Sequence, residues 1–291
     1  MLFRSLLIFK LSALLSLVRW YNIFFLALSQ YLAVLFVLND ISRWRQTLSN
    51  PNLHYIVFAS LFCVAAGYLI NNFYDLERDL INRPNKTLYE KLVKQSTALR
   101  LYFLFNLVGA MLALLVSLNV FLFFSAYIFF LWFYSHKLKK IPFIGNLSAA
   151  ALAITPFFAI FIYYQLEDLL IFTYVSFVLI IILIREIIKD LEALKGDIIL
   201  GYATLPTTIG VKQTKLLVLF FTLLSFVPAA LIFYKTGFTG ASYYLIPGET
   251  GLIISLLALF PAQRKEDYAL LNNIFRLLII GGILSLVLVG R

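Results

Sequence analysis

Stretches of roughly twenty apolar residues, each closed by charged or turn-forming residues, recur along the whole of this sequence. They run near 20–38, 53–74, 96–116, 119–135, 143–164, 168–187, 214–234, 243–261 and 268–289. A bilayer core about 30 Å thick takes about 20 residues of helix, and in hydrocarbon only a helix or a closed barrel satisfies its backbone amides. The chain is therefore expected to be an all-α integral membrane protein with about nine transmembrane helices. Between Ala98 and Ser135 the apolar run is too long for one crossing, and Ser117, Leu118 and Asn119 mark where it turns. With 62% hydrophobic and 13% charged residues and a mean hydropathy of +0.93, water cannot be its main solvent. Residues 1–291 read as a single transmembrane domain. Residues 1–18 form an interfacial helix leading into the first span: Lys10 interrupts their apolar stretch, and no small-residue cleavage site follows.

The formal net charge of +10 comes from residues lying between apolar runs, not from a basic stripe on a soluble module. That distribution points to topology signals and phosphate ligands rather than to nucleic acid. With nine crossings, all 24 Lys and Arg except Arg43, Arg45, Lys235 and Arg291 belong to the amino terminus or to the connections after even-numbered spans. The positive-inside rule places that side in the cytoplasm. Asp75, Glu77, Asp79, Glu90, Glu186, Asp190, Glu192, Asp197, Glu266 and Asp267 lie there too, so any chemistry belongs to the cytoplasmic face of a bacterial or archaeal cell membrane. Cys63 is the single cysteine and sits in an apolar run, while His54 and His136 each stand alone. No disulfide and no His/Cys metal cluster is expected.

Two acidic clusters follow spans two and six. In Asn71-Asn72-Phe-Tyr-Asp75-Leu-Glu77-Arg78-Asp79-Leu-Ile-Asn82, residues Asn71, Asp75, Asp79 and Asn82 fall at about 0°, 40°, 80° and 20° around a helix. In Arg185-Glu186-Ile-Ile-Lys189-Asp190-Leu-Glu192-Ala193-Leu-Lys195-Gly196-Asp197, residues Glu186, Asp190 and Asp197 fall at about 0°, 40° and 20° if the helix persists that far. Carboxylates stacked on one face repel each other and are costly near hydrocarbon, so a cation must compensate them. Mg²⁺ suits a few carboxylate oxygens completed by water and substrate phosphate, and two such faces opposed across a cavity would hold a diphosphate. The plainer alternative is a pair of solvated helix ends whose Arg78, Lys189 and Lys195 pair with neighbouring acids.

At these residues the sequence resembles the UbiA-type superfamily of intramembrane prenyltransferases. Asn71, Asp75 and Asp79 match its N-D-x-x-D-x-x-x-D motif, and Asn82, Pro84 and Lys86 match the N-x-P-x-R/K continuation. Lys189, Asp190, Gly196, Asp197, Thr204, Leu205, Pro206 and Gly210 match the second acidic motif and the T-L-P turn after it. Arg19 and Asn22 resemble the R-x-x-N of the first span, and Tyr134, Ser135, Lys139 and Asn146 resemble the Y-S-x-x-L-K…N segment. Two positions depart from the pattern: Asn72 and Ala193 each stand where the family has Asp, which removes anionic oxygens from the expected metal site.

The resemblance implies nine helices around a central cavity and a magnesium-dependent transfer of a prenyl group from an allylic prenyl diphosphate to a lipidic or aromatic acceptor. It implies that Asn71, Asp75, Asp79, Glu186, Asp190 and Asp197 hold Mg²⁺ and diphosphate, with Asp75, Asp79, Asp190 and Asp197 essential to catalysis. Asn22, Lys86, Tyr134, Lys139 and Lys189 are the implied substrate-binding residues. The R-E-x-x-K-D and T-L-P context is most similar to the branch that prenylates geranylgeranylglyceryl phosphate. A reading from another class is a cation-coupled transporter or channel using the same acids as an ion site. Its weakness is that the charges gather at one side of the membrane rather than at the midplane.

Overall fold

The structure, a computed structural model, describes residues 2–38, 41–165, 169–238, 240 and 242–289, with side chains between Ile8 and Leu288. The Arg4 side chain and Arg291, two of the expected topology signals, lie outside the described residues. Thirteen α-helices follow in order: α1 (Leu2–Leu17), α2 (Trp20–Leu32), α3 (Trp44–Leu48), α4 (Pro51–Asn82), α5 (Pro84–Glu90), α6 (Gln95–Val116), α7 (Leu118–His136), α8 (Ile144–Tyr164), α9 (Leu169–Ile199), α10 (Leu205–Thr208), α11 (Val211–Thr236), α12 (Ser242–Leu259) and α13 (Lys265–Val289). Helix α2 continues as a π-helical stretch over Ala33–Leu38. Among the described residues, nine helices are long and apolar enough to cross a bilayer, and there is no strand.

Local chemistry sets the boundaries. Asn50 caps α4 by accepting from the Asn52 amide at 3.0 Å, and Pro51 occupies the first turn, where its missing N–H costs nothing. Ser117 both ends α6 and caps α7, its hydroxyl accepting from the Val120 amide at 3.2 Å. One residue thus divides the long apolar run. Helices α4 and α9 outlast their apolar stretches and run through both charged motifs, ending only before Pro84 and Gly201, the latter at φ +66°. Arg276, counted with the connection after span eight although it falls inside the 268–289 run, lies about half-way along α13, and Arg100 and Lys215, inside the 96–116 and 214–234 runs, are likewise helical. A charge inside a span is no topology signal, so these three drop out of the asymmetry.

The chain divides into two compact units. In the first, residues 1–27 and 50–137, α4 packs against α6 and α7. Lipid supplies no hydrophobic drive between helices, so close packing must hold them. A Cβ on Gly109 would lie 2.7 Å from Cys63 Sγ, and one on Gly67 would lie 3.0 Å from the Leu131 methyls. Glycine at these points lets the helices approach. Leu17, Val18, Ala65, Ala66, Leu69, Ile70 and Tyr102 form the core near the acidic end of α4.

In the second unit, residues 28–49 and 138–291, α9 is central and packs on α8, α11 and α13. Its buried Phe177, Ile181, Ile184, Ile187 and Ile188 meet Val218, Ile232, Leu245, Leu252 and Phe275. Two buried polar links tie the bundle together. Gln30 donates to the Pro156 carbonyl at 2.8 Å, and the Lys215 ammonium donates to the Phe260 and Ala262 carbonyls at 3.0 and 2.6 Å. The lysine satisfies carbonyls left over where α12 ends.

Candidate active site

In the first unit the acidic end of α4 presents the face that helical spacing anticipates. Asp75 and Asn82 are buried and Asn71 and Asp79 half-buried, while Phe73, Glu77 and Ile81 point outward. Asp79 and Asn72 line a pocket together with Arg19, Arg83 and Lys86. Three cations against two carboxylates, Asp79 and Glu90, leave the pocket with a positive balance that suits an anionic ligand. The chain enters this pocket through Arg19, which separates α1 from α2 at φ +51°, a left-handed conformation unusual for a residue other than glycine.

Tyr68 organises that entry. The Arg19 guanidinium lies over its ring at 4.9 Å, and Asn22 Nδ2 donates to its hydroxyl at 2.9 Å. Sequence reasoning passed over Tyr68, although its helical phase of about 60° places it with Asn71, Asp75 and Asp79. It missed Glu90 as well, a buried carboxylate that accepts from Ser16 Oγ at 2.6 Å and pairs with Lys86 at 3.5 Å. The Thr87 hydroxyl donates to the Arg83 carbonyl at 2.9 Å and fixes the first turn of α5. Tyr134 is half-buried on α7 and is not among the pocket-lining residues. His136 stacks on Trp132 at 5.4 Å, an aromatic packing role.

In the second unit α9 stays helical through Asp197, so its acids share the expected phase. Asp190 is half-buried and accepts from Asn146 Nδ2 of α8 at 2.8 Å. Asp197 is fully buried, and its carbonyl accepts from the Tyr202 amide at 2.8 Å, closing the turn that leads to Thr204-Leu205-Pro206. Thr207 Oγ1 accepts from the Thr204 amide at 2.8 Å, a capping arrangement that starts α10. Glu186 is held by Lys189 at 2.5 Å and by Arg185 at 3.5 Å, two cations that neutralise it within its own helix. Lys139 lies in a short 3₁₀ turn whose backbone packs on Gly145, where a Cβ would come within 3.0 Å. Ala193 leaves α9 without an acid at its position, and the neighbouring Glu192 turns to α13, accepting from Asn272 Nδ2 at 2.9 Å.

Among the described residues, no three His, Cys, Asp or Glu side chains converge as a preformed metal cage. Both acidic faces nevertheless offer carboxylate and amide oxygens without competing sulfur or imidazole, the donor set of a hard cation completed by water and phosphate. The residues therefore fit Mg²⁺ bound together with a diphosphate.

The sequence profile of the UbiA prenyltransferase family matches residues 33–279. The chain belongs to that family. Similar proteins include the digeranylgeranylglyceryl phosphate synthase of Thermococcus gammatolerans, 34% identical over 210 residues that make up 72% of this chain and 73% of that protein. The synthase of the same name from Sulfurisphaera tokodaii is 29% identical over 222 residues, covering 73% of this chain and 77% of its own. Among solved structures, one described as a digeranylgeranylglyceryl phosphate synthase superposes with a TM-score of 0.69 at 22% identity, over 96% of this chain and 97% of that one. A UbiA homolog from Archaeoglobus fulgidus bound to GPP and Mg²⁺ gives 0.66 at 16% identity, over 94% and 99%. This UbiA chain is thus a membrane-embedded prenyltransferase, as its motifs implied, and not a transporter.

Proposed function

We propose that this enzyme transfers a prenyl group from an allylic prenyl diphosphate to the free hydroxyl of a prenylated glyceryl phosphate lipid, releasing diphosphate. The observation that carries the reading is the Asp79 and Asn72 pocket with its three cations, in a chain whose relatives are named for digeranylgeranylglyceryl phosphate synthesis. Asn71, Asp75 and Asp79 on α4, with Asp190 and Asp197 on α9, hold the magnesium–diphosphate, and Glu186 contributes after releasing Lys189. Bound Mg²⁺ supplies electrostatic stabilisation of the departing diphosphate.

The protein's own groups do the rest. Lys86 and Lys139, with Lys189, neutralise phosphate charge that builds as the allylic carbon–oxygen bond breaks and diphosphate keeps the bonding pair. Arg19 and Asn22, tied together through Tyr68, shape the diphosphate end of the pocket. Tyr134, outside the residues that line the Asp79 pocket, is assigned to the allylic cation by its motif position alone. The acceptor oxygen forms the new carbon–oxygen bond, and its proton passes to the released diphosphate or to water. Both acidic ends face the cytoplasm, where magnesium and soluble diphosphate are available.

Purified protein assayed with labelled prenyl diphosphates of several lengths against glyceryl phosphate lipids and aromatic acceptors tests this. Label should move into the glyceryl phosphate lipid, with diphosphate released in equal amount. Transfer to an aromatic ring alone would replace the proposed acceptor.

A further inference from the structure

Asn272, Asn273 and Arg276 bring amide and guanidinium groups to the middle of α13, a helix long and apolar enough to span a membrane. Asn272 is 3% exposed, and its amide nitrogen is used on Glu192, yet its buried Oδ1 accepts no hydrogen bond among the described residues. One turn later Arg276 donates Nη1 to Asn273 Oδ1 at 3.3 Å, a long contact, while its buried Nε has no acceptor among the described residues. Residues four apart share a helix face, so the two side chains leave α13 on one side about one 5.4 Å turn apart.

The chemistry of what would satisfy them is restricted. A guanidinium stays charged at any physiological pH and within a span calls for an anion. The Asn272 carbonyl calls for a hydrogen-bond donor. A diphosphate offers oxygens for Arg276 but no donor for Asn272, and a water offers a donor but no charge. A glyceryl phosphate headgroup offers both, a phosphate dianion and a hydroxyl a few bonds away.

We propose that α13 carries the headgroup subsite for the acceptor lipid: Arg276 takes the phosphate, steadied by Asn273, and Asn272 Oδ1 accepts from the glycerol hydroxyl. This rests on the glyceryl phosphate acceptor proposed above. In this role Asn272 orients the nucleophilic oxygen, and its bond to Glu192 fixes the amide so that Oδ1 is left for the substrate.

Steady-state kinetics with a prenyl glyceryl phosphate, and with the corresponding glycerol ether lacking phosphate, test the assignment. Arg276→Gln should raise KM for the phosphorylated acceptor at least tenfold, leave KM for the prenyl diphosphate unchanged, and abolish the preference for the phosphorylated over the unphosphorylated acceptor. Arg276→Lys keeps the charge without the planar fork and should show a smaller rise in the same direction; it decides the matter if the Gln variant does not fold. Retention of the labelled phosphorylated acceptor by purified protein, without donor or metal, should fall in parallel. An unchanged acceptor KM in a folded variant, or a rise in donor KM in its place, overturns the subsite. Wild-type protein that transfers to no glyceryl phosphate would instead remove the acceptor reading itself.

Discussion

Asn146 on α8 donates its side-chain amide to Asp190 on α9 at 2.8 Å, joining a motif asparagine to a motif aspartate across a helix contact. The bond fixes the orientation of the carboxylate. Partners of this kind in metal sites typically cost 10–100-fold when lost. Asn146→Leu should therefore lower turnover by about that factor and weaken apparent magnesium affinity. Asn146→Asp should be worse, because it sets two like charges in contact. Product formation against magnesium concentration measures both.

Asp75 and Asp190 belong to different acidic faces and are proposed to serve one magnesium–diphosphate. Asp75→Asn and Asp190→Asn keep size and remove charge, so each should abolish most turnover while the helices stay inserted. The double variant should be little worse than either single one, since a misplaced leaving group has little catalysis left to lose. Ala193→Asp restores an acid at the helical phase of the motif and should tighten apparent magnesium affinity. Full activity in both single variants would return these acids to the status of solvated helix ends.

Hydropathy located the nine spanning helices found among the described residues and the break at Ser117, because lipid leaves helix as nearly the only solution and length then fixes the count. It failed at the functional ends. Helices α4 and α9 carry charge and continue regardless, since no Pro interrupts either acidic cluster and Gly196 inside α9 does not end it. Of the site, the acids were legible from their 100° phase. Glu90 was not, because only tertiary packing brings Ser16 to it. Helical phase turned Glu192 away from Ala193, and its bond to Asn272 agrees, but the partner came from a helix that no motif marks.

Topology can be read on the α4–α5 connection. Asn85 is exposed, and the only native cysteine, Cys63, is buried, so a cysteine placed at Asn85 reports with little background. Impermeant maleimide should label it only after the cytoplasmic side is opened. Labelling from outside intact cells would invert the arrangement and separate the site from cytosolic magnesium.

Gly145 bears on the placing of Lys139. An added Cβ would lie 3.0 Å from both the Cα and the carbonyl oxygen of Lys139, and backbone cannot swing aside as a side chain would. Gly145→Ala should cost about 1–3 kcal/mol, the range for overpacking. It should also raise KM for the prenyl diphosphate by displacing Lys139. Thermal unfolding in detergent and donor kinetics check the two parts separately.

Glu249 offers a stability test away from the catalytic motifs. It is 9% exposed within α12, and Ser225 Oγ of α11 lies 3.0 and 3.1 Å from its two carboxyl oxygens. Ser225 Oγ is also 2.7 Å from the Thr222 carbonyl, so a single hydroxyl mediates between backbone and acid. Ser225→Ala removes the donor but leaves the buried carboxyl, which should cost about 1–3 kcal/mol. Removing both groups together, in Ser225→Ala with Glu249→Leu, should cost less than Ser225→Ala alone, because no polar group is then left stranded and the two positions remain packed. Thermal midpoints of the single and double variants complete the cycle. Equal losses in Ser225→Ala and in the double variant would mean that packing of the two helices, rather than the hydroxyl–carboxyl contact, holds this part of the bundle.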